Sequence, residues 1–216
     1  MQFIYIHFKV SSLWRALFIS IIFSSSSFAS SVKQVDVSEL IEQSELVFEG
    51  RVLATLGQWN ASETLITTLI TFEVLDVLAG DYNKKKLKLR FVGGTVGTET
   101  VEAKGLRQPE VGEKGIYFVR SLSRNLVNPL VGWSQGQFLL EGNGFGSDVV
   151  MTDDHQPVIG FEESSSGVTK VARSKVISEG VATGVKLGKR KSGKYTAMTA
   201  VKFKKELRER VKKSNR

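Results

Sequence analysis

Asp153, Asp154 and His155 bring two carboxyl groups and an imidazole into one short segment, with Asp148 five residues before. Such groups could serve acid–base catalysis, and the three aspartates could serve as calcium ligands. Calcium, however, takes roughly six to eight oxygens from a loop that wraps the ion. The segment is too short to supply them, and its residues favour a tight polar turn. We therefore predict a hairpin turn here and neither a catalytic nor a metal-binding residue.

The counts of histidine and cysteine exclude several classes of enzyme. The 216 residues contain two histidines, His7 and His155, and no cysteine. Sites with several imidazoles, thiolate nucleophiles, zinc ribbons and disulfides are therefore excluded. No Gly-x-Ser-x-Gly elbow accompanies His155. A pair of carboxylates is the catalytic arrangement that the sequence leaves open, since the spacing of such a pair is spatial. A carboxylate-dependent hydrolase is thus the enzyme alternative.

Two glycine-containing segments resemble nucleotide-binding loops in spacing alone. Gly188–Lys194 has the spacing of a phosphate-binding loop, but Tyr195 stands where a magnesium-binding Ser or Thr is required. Gly142–Gly146 lies between two predicted strands, so no helix N-terminus follows it to hold a pyrophosphate. The sequence therefore predicts no cofactor.

The first 29 residues have the organisation of a signal peptide. Lys9 and Arg15 precede the apolar run 16–23, and the small residues Ser27 and Ala29 suit signal peptidase. The run is shorter than the roughly 20 residues that cross a bilayer. We expect a cleaved leader, an exported protein of the bacterial periplasm or exterior, and no transmembrane span in the mature chain. An uncleaved anchor is the alternative.

Charge divides the remaining chain into an acidic body and a basic tail. Residues 30–165 contain 12 Lys and Arg against 19 Asp and Glu, a net charge of −7, whereas residues 166–216 contain 16 against 3, a net charge of +13. Such asymmetry is typical of a globular domain that carries an arm for an anionic partner. We divide the tail into a polar basic linker, 163–198, and a basic amphipathic helix and tail, 199–216.

An apolar stripe defines the predicted tail helix. Ala200, Phe203, Leu207 and Val211 recur at spacings of three and four. The stripe allows docking onto the acidic body, and the lysines allow adhesion to an anionic lipid or polysaccharide. We expect removal of residues 167–216 to leave a folded body.

The body, 30–162, has the pattern of a mainly β domain that begins with a short helix. Asp36 and Glu39 have the spacing of a capping box, and Leu87, Leu89 and Phe91 alternate with cations in the clearest strand. We predict strands at 46–54, 64–78, 86–92, 98–104, 115–122, 137–141, 148–152 and 158–161. Short strands with glycine corners favour a small antiparallel, OB-like barrel, with a β-sandwich as the alternative.

Several segments resemble a group of small exported bacterial proteins of unassigned function, itself distantly similar to the OB-like barrel of netrin and tissue-inhibitor-of-metalloproteinase domains. The segments are 44–52, 71–80, 91–94, 111–114, 117–119 and 136–138. The resemblance covers roughly residues 36 to 160 and implies a barrel and export. The N-terminal cysteine with which the inhibitor family chelates zinc has no counterpart in this chain, so inhibition of a protease is not implied by its residues.

Candidate contact residues lie in predicted loops and in the tail. Large aromatic and basic side chains on loops are suited to binding partners, and the longest irregular segment of the body is 120–135. We therefore predict partner binding by Trp59, Trp133, Arg120, Arg124, Lys189, Arg190 and Lys191.

The most consistent function is that of an exported, non-catalytic binding module. Its partner would be a protein or an anionic envelope component, and the basic tail would aid attachment. The exported destination disfavours nucleic acid. An inhibitor or accessory of a secreted protease and the hydrolase are the alternatives. The sequence does not indicate an oligomeric state.

Overall fold

The computed structural model describes residues 32–102, 106–162, 180–188 and 197–214. All of them belong to one unit, Ser31–Arg216. The predicted leader, most of the predicted linker, and the candidates Lys189, Arg190 and Lys191 lie outside the described residues.

Six antiparallel strands form the main sheet, in the order β3-β2-β1-β6-β7-β8. Their bounds are β1 Leu46–Trp59, β2 Ile66–Ala79, β3 Lys86–Val92, β6 Lys114–Val119, β7 Gln137–Gly142 and β8 Asp148–Thr152. Two small pairs accompany it, β4 Gly94–Val96 with β5 Glu99–Val101, and β9 Val158–Phe161 with β10 Val185–Leu187. The long β1–β2 hairpin is the framework, because its strands pair over almost their whole length.

The sheet buries apolar side chains on both faces, as the alternation of its strands requires. On one face, here called the inner face, the rings of Phe48, Phe72 and Tyr117 pack within 4.9–5.6 Å of one another, centroid to centroid. The buried side chains of β3, including Leu89, belong to the same cluster. The opposite face, here called the helix face, packs Phe118 and other buried residues against two helices.

Both helices follow from local sequence signals. Helix α1, Val37–Glu42, begins with a complete capping box between Asp36 and Glu39. Helix α2, Ala200–Ser214, inserts Phe203 into the core, where its ring centroid lies 5.1 Å from that of Phe138 and 4.8 Å from that of Phe161. No helix in the described part of the chain has the length and apolarity needed to traverse a bilayer.

The prediction of a mainly β fold with a short N-terminal helix and a C-terminal helix is confirmed. Closure into a barrel stays a prediction; among the described strands the hydrogen-bonded order ends at β3 and β8. The strand predicted at 98–104 is present as the shorter β5, Glu99–Val101, which pairs with β4 across a turn at Gly97 whose φ is 60°. The end of the predicted range, residues 103 and 104, lies outside the described residues. Strand β10 lies in the predicted linker. It was not predicted, because three residues are too few to show the alternation of apolar and polar residues that indicates a strand.

Candidate functional site

On the helix face of the sheet, three rows of residues run across β1, β2 and β3 outside the part that the helices cover. Arg51 on β1 lies opposite Glu73 on β2, and Glu73 lies opposite Lys86 on β3. Directly opposite residues of an antiparallel pair share one face of the sheet. The two adjacent rows contain Ala54, Thr71 and Lys88, and Leu56, Leu69 and Arg90. We call these nine residues the cationic face.

Positive charge on the cationic face is largely uncompensated. Arg51, Lys86, Lys88 and Arg90 are all exposed, and Glu73 is the single acid among the nine residues. None of the four cations has a carboxylate of the described residues within 4.0 Å. Alternate residues of a strand are roughly 6.7 Å apart, so the β3 cations form a row about 13 Å long. This spacing suits a ligand with repeated negative charges.

Protection of the sheet edge explains only part of this charge. Lysines on an edge strand prevent pairing with another chain, and β3 is an edge of the main sheet. Arg51, however, lies on β1, which is paired on both sides, with β2 and with β6. An interior strand needs no such protection, so protection of the edge does not account for the positive charge of Arg51.

Apolar side chains accompany the cations. Leu56 is 58% exposed and shares its row with Leu69 and Arg90. Two further leucines are the extra residues at irregularities in the β1–β2 register, Leu53 at 39% and Leu75 at 41% exposure. Such bulges turn side chains away from the regular alternation. The result is a surface with both positive charge and exposed hydrocarbon.

Helix α2 covers the neighbouring part of the same face and is held there by ion pairs. The Nζ of Lys204 donates to Glu49 Oε2 at 2.5 Å and to Asp76 Oδ2 at 2.9 Å, and Arg208 donates to Asp76 Oδ1 at 2.6 Å. Glu49 is 4% exposed, and its second oxygen lies 2.9 Å from the Nζ of Lys114. Each charged group in this network of ion pairs therefore has a partner of opposite charge, as burial requires.

The ion pairs shift the pKa values of their members. Burial alone would raise the pKa of Asp76, but hydrogen bonds and charges from Lys204 and Arg208 outweigh it and lower the pKa. Burial would lower the pKa of Lys204, but Glu49 and Asp76 raise it. Two cations of the basic tail are thus neutralised within the fold. The remaining lysines of α2 are exposed on the same side of the sheet: Lys202, Lys205, Lys212 and Lys213.

A second cluster of charges lies at the edge of the inner face. Arg107 binds Glu113, and its Nη1 donates to Asp153 Oδ1 at 3.1 Å. The hydroxyl of Tyr117 and the amide of Gln137 donate to Glu113 Oε1 at 3.3 and 2.9 Å. Burial raises the pKa of Asp153, against the charge of Arg107. These two carboxylates converge, as those of a hydrolase would, and one guanidinium engages both.

The segment Asp153–His155, which was predicted to be a polar turn, forms a turn. His155 has a φ of 59° and its amide donates to the carbonyl of Thr152 at 3.0 Å. The Nδ1 of His155 lies 2.6 Å from Glu141 Oε1 across the surface. Within the residues that the structure describes, no three metal-ligating side chains of His, Cys, Asp or Glu come together.

The glycine-rich corner is also a hairpin turn, between β7 and β8. The side chain of Asn143 accepts from the amides of Phe145 and Ser147 at 2.8 and 3.3 Å. This leaves Phe145 at the tip, 92% exposed.

Of the contact residues predicted from the sequence, those that the structure describes do not all lie together. Trp59 ends β1, whereas Trp133 follows Leu130, which bridges to Val119 beside the opposite end of β1. Both tryptophans are half-buried. Arg120 is exposed and donates to Gln43 Oε1 at 2.9 Å, and Arg124 is exposed in the same loop. Their roles as partner-binding residues stay predictions.

Sequence reasoning identified three of the four cations of the cationic face. The alternation in β3 places Lys86, Lys88 and Arg90 on the solvent-exposed side of that strand. No local signal in the sequence associates Arg51 and Leu56 with the same surface. The register of three strands was needed. Comparisons of this chain with protein-family models, with curated proteins and with solved structures find no match.

Proposed function

We propose that this protein is an exported, non-catalytic binding module that holds an anionic component of the bacterial envelope on its cationic face. The observation that carries the proposal is the row-by-row alignment of four exposed cations against one acid on three paired strands. Exposed charges that have no partner in the fold retain their full attraction for an external anion.

The basic tail supports the same function through its position. Helix α2 is anchored by Phe203 and by the pair of Lys204 with Glu49, so its exposed lysines are presented from a rigid element. They lie on the side of the sheet that bears the cationic face and add to its positive field. The tail contributes to attachment as part of the body and not as a separate arm.

The state of the other charged groups favours binding over catalysis. Glu113 and Asp153 share one arginine, and Glu49 has two lysine partners. A general base must be free to accept a proton from a substrate. These carboxylates are engaged by cations of the protein, whereas the uncompensated cations of the cationic face are available to a ligand.

The test is the strength of binding to an immobilised polyanion. The full sequence, expressed with its own leader, is purified and eluted from heparin with a salt gradient. We expect the triple variant Lys86→Gln, Lys88→Gln, Arg90→Gln to elute at clearly lower salt than the wild type, because each lost contact removes released counterions.

A matched control removes three cations elsewhere, by Lys33→Gln, Arg120→Gln and Arg124→Gln. This control has the same net charge as the test variant, and we expect it to elute close to the wild type. Equal losses in the two variants would show that net charge alone governs binding. A larger loss in the control would assign binding to Lys33, Arg120 and Arg124. Either result would overturn the proposal for the cationic face.

A further inference from the structure

We infer that the anionic component is the surface of a lipid bilayer, on which the cationic face lies flat with Leu56 inserted between the headgroups. This inference rests on the proposed function and names its ligand. It adds a specific role for an apolar side chain that a purely electrostatic site does not require.

The first argument is the neighbourhood of Leu56. Its side chain is 58% exposed and shares its row with Arg90. A soluble polyanion presents charged groups in water and gains little from an exposed leucine. A membrane interface offers acidic headgroups and, a few ångströms deeper, hydrocarbon, so it rewards cations and apolar side chains that stand side by side.

The second argument is the shape of the charge distribution. The four cations lie on β1 and β3, on either side of β2 and on one face of the sheet, and the exposed lysines of α2 extend the charge on the same side. A single polymer chain would contact a narrow track. An anionic leaflet is a plane of charge, and each Lys or Arg near it contributes to binding. The broad cationic area matches the plane.

The third argument concerns the exposed leucines at the strand irregularities. Leu53 and Leu75 are the extra residues in β1 and β2, and each is about two-fifths exposed, at 39% and 41%. Core-facing neighbours such as Val52 are buried at 1% exposure. The irregularities thus place two more hydrocarbon side chains in solvent on the strands that form the cationic face.

The experiment compares vesicle binding with binding to a soluble polyanion for the same full-length protein. The probes are large vesicles of phosphatidylglycerol and phosphatidylcholine, vesicles of phosphatidylcholine alone, and heparin. We expect cosedimentation with the anionic vesicles only. Leu56→Ser should weaken vesicle binding roughly fivefold, by loss of buried hydrocarbon, and leave elution from heparin unchanged. Each of Lys86→Gln, Lys88→Gln and Arg90→Gln should weaken vesicle binding by about fivefold.

Val111→Ser is the matched control, because Val111 is 62% exposed in the turn before β6 and lies outside the cationic face. We expect it to change neither readout. Thermal melting of each variant confirms that it is folded.

The outcomes separate the inference from the proposed function. Heparin binding through the cationic face without binding to anionic vesicles would make the ligand a soluble polyanion and overturn the bilayer alone. Vesicle binding that is identical in wild type and Leu56→Ser would also overturn the inserted leucine. Absence of binding to both probes would overturn the proposed function itself.

Discussion

Replacement of Phe203 by alanine tests whether α2 is an integral part of the body. Phe203 is fully buried, and its ring contacts those of Phe138 and Phe161. Truncation of a buried phenylalanine costs about 3–5 kcal/mol through lost transfer free energy and the cavity that remains. For a chain of this size, that corresponds to a fall in Tm of roughly 6–20 °C.

The fall in Tm of the Phe203→Ala variant has a second cause, the loss of the ion pairs that α2 makes with the sheet. Phe203 is adjacent in sequence to Lys204, which pairs with buried Glu49. If the helix detaches, Glu49 retains Lys114 as its only cation among the described residues, and a buried carboxylate with fewer partners is costly. We therefore expect the upper part of the range.

The assay is urea unfolding followed by far-UV circular dichroism and tryptophan fluorescence. Val201→Ala is the control, since Val201 lies two residues away on the same helix and is 76% exposed; we expect it to change the free energy of unfolding by less than about 0.5 kcal/mol. Equal stabilities of the Phe203 and Val201 variants would refute the docked helix. The same packing reverses the expectation for a deletion of residues 167–216, which should leave a destabilised body.

Two further predictions follow from the shifted pKa values. Because the pKa of Asp76 is lowered by Lys204 and Arg208, its contribution to stability is complete above the unfolded value of about 3.9 and disappears as the pH falls through the folded pKa. The difference in unfolding free energy between wild type and Asp76→Asn should therefore shrink as the pH falls below about 5, and a constant difference would contradict the ion pairs. Burial and the charge of Glu113 raise the pKa of Tyr117 well above its usual value of 10.0. Spectroscopic titration should show fewer tyrosines ionising in the native protein than in urea. Tyr117→Phe should remove most of that difference, and burial of Tyr82, which raises its pKa too, accounts for the rest.

Some elements of the fold were predictable because their signals are local. The capping box of Asp36 and Glu39 spans three residues, and the alternation of β3 needs only seven. The stripe of α2 is likewise contained in a few turns. In each case backbone geometry converts a short pattern into one buried and one exposed face.

The candidate site was less accessible to sequence reasoning. The predicted β1 ended at residue 54, whereas the strand continues to Trp59 and places Leu56 in a row with Arg90. Strand ends and register depend on the partner strand, and a shift of one residue moves a side chain to the other face. Trp59 and Trp133 were predicted as contact residues because they lie in predicted loops, but the fold places them near opposite ends of β1.

The sequence by itself determined most strands of the main sheet, the positions of the two α-helices, and which β3 residues face water, because these properties depend on neighbours within a few residues. The tertiary structure alone decided that Lys204 neutralises Glu49 from 155 positions away, and that Arg51 joins Lys86 on one surface. Pairings of this kind arise when the whole apolar core is buried at once, since the free energy of that burial selects the register and the helix position together.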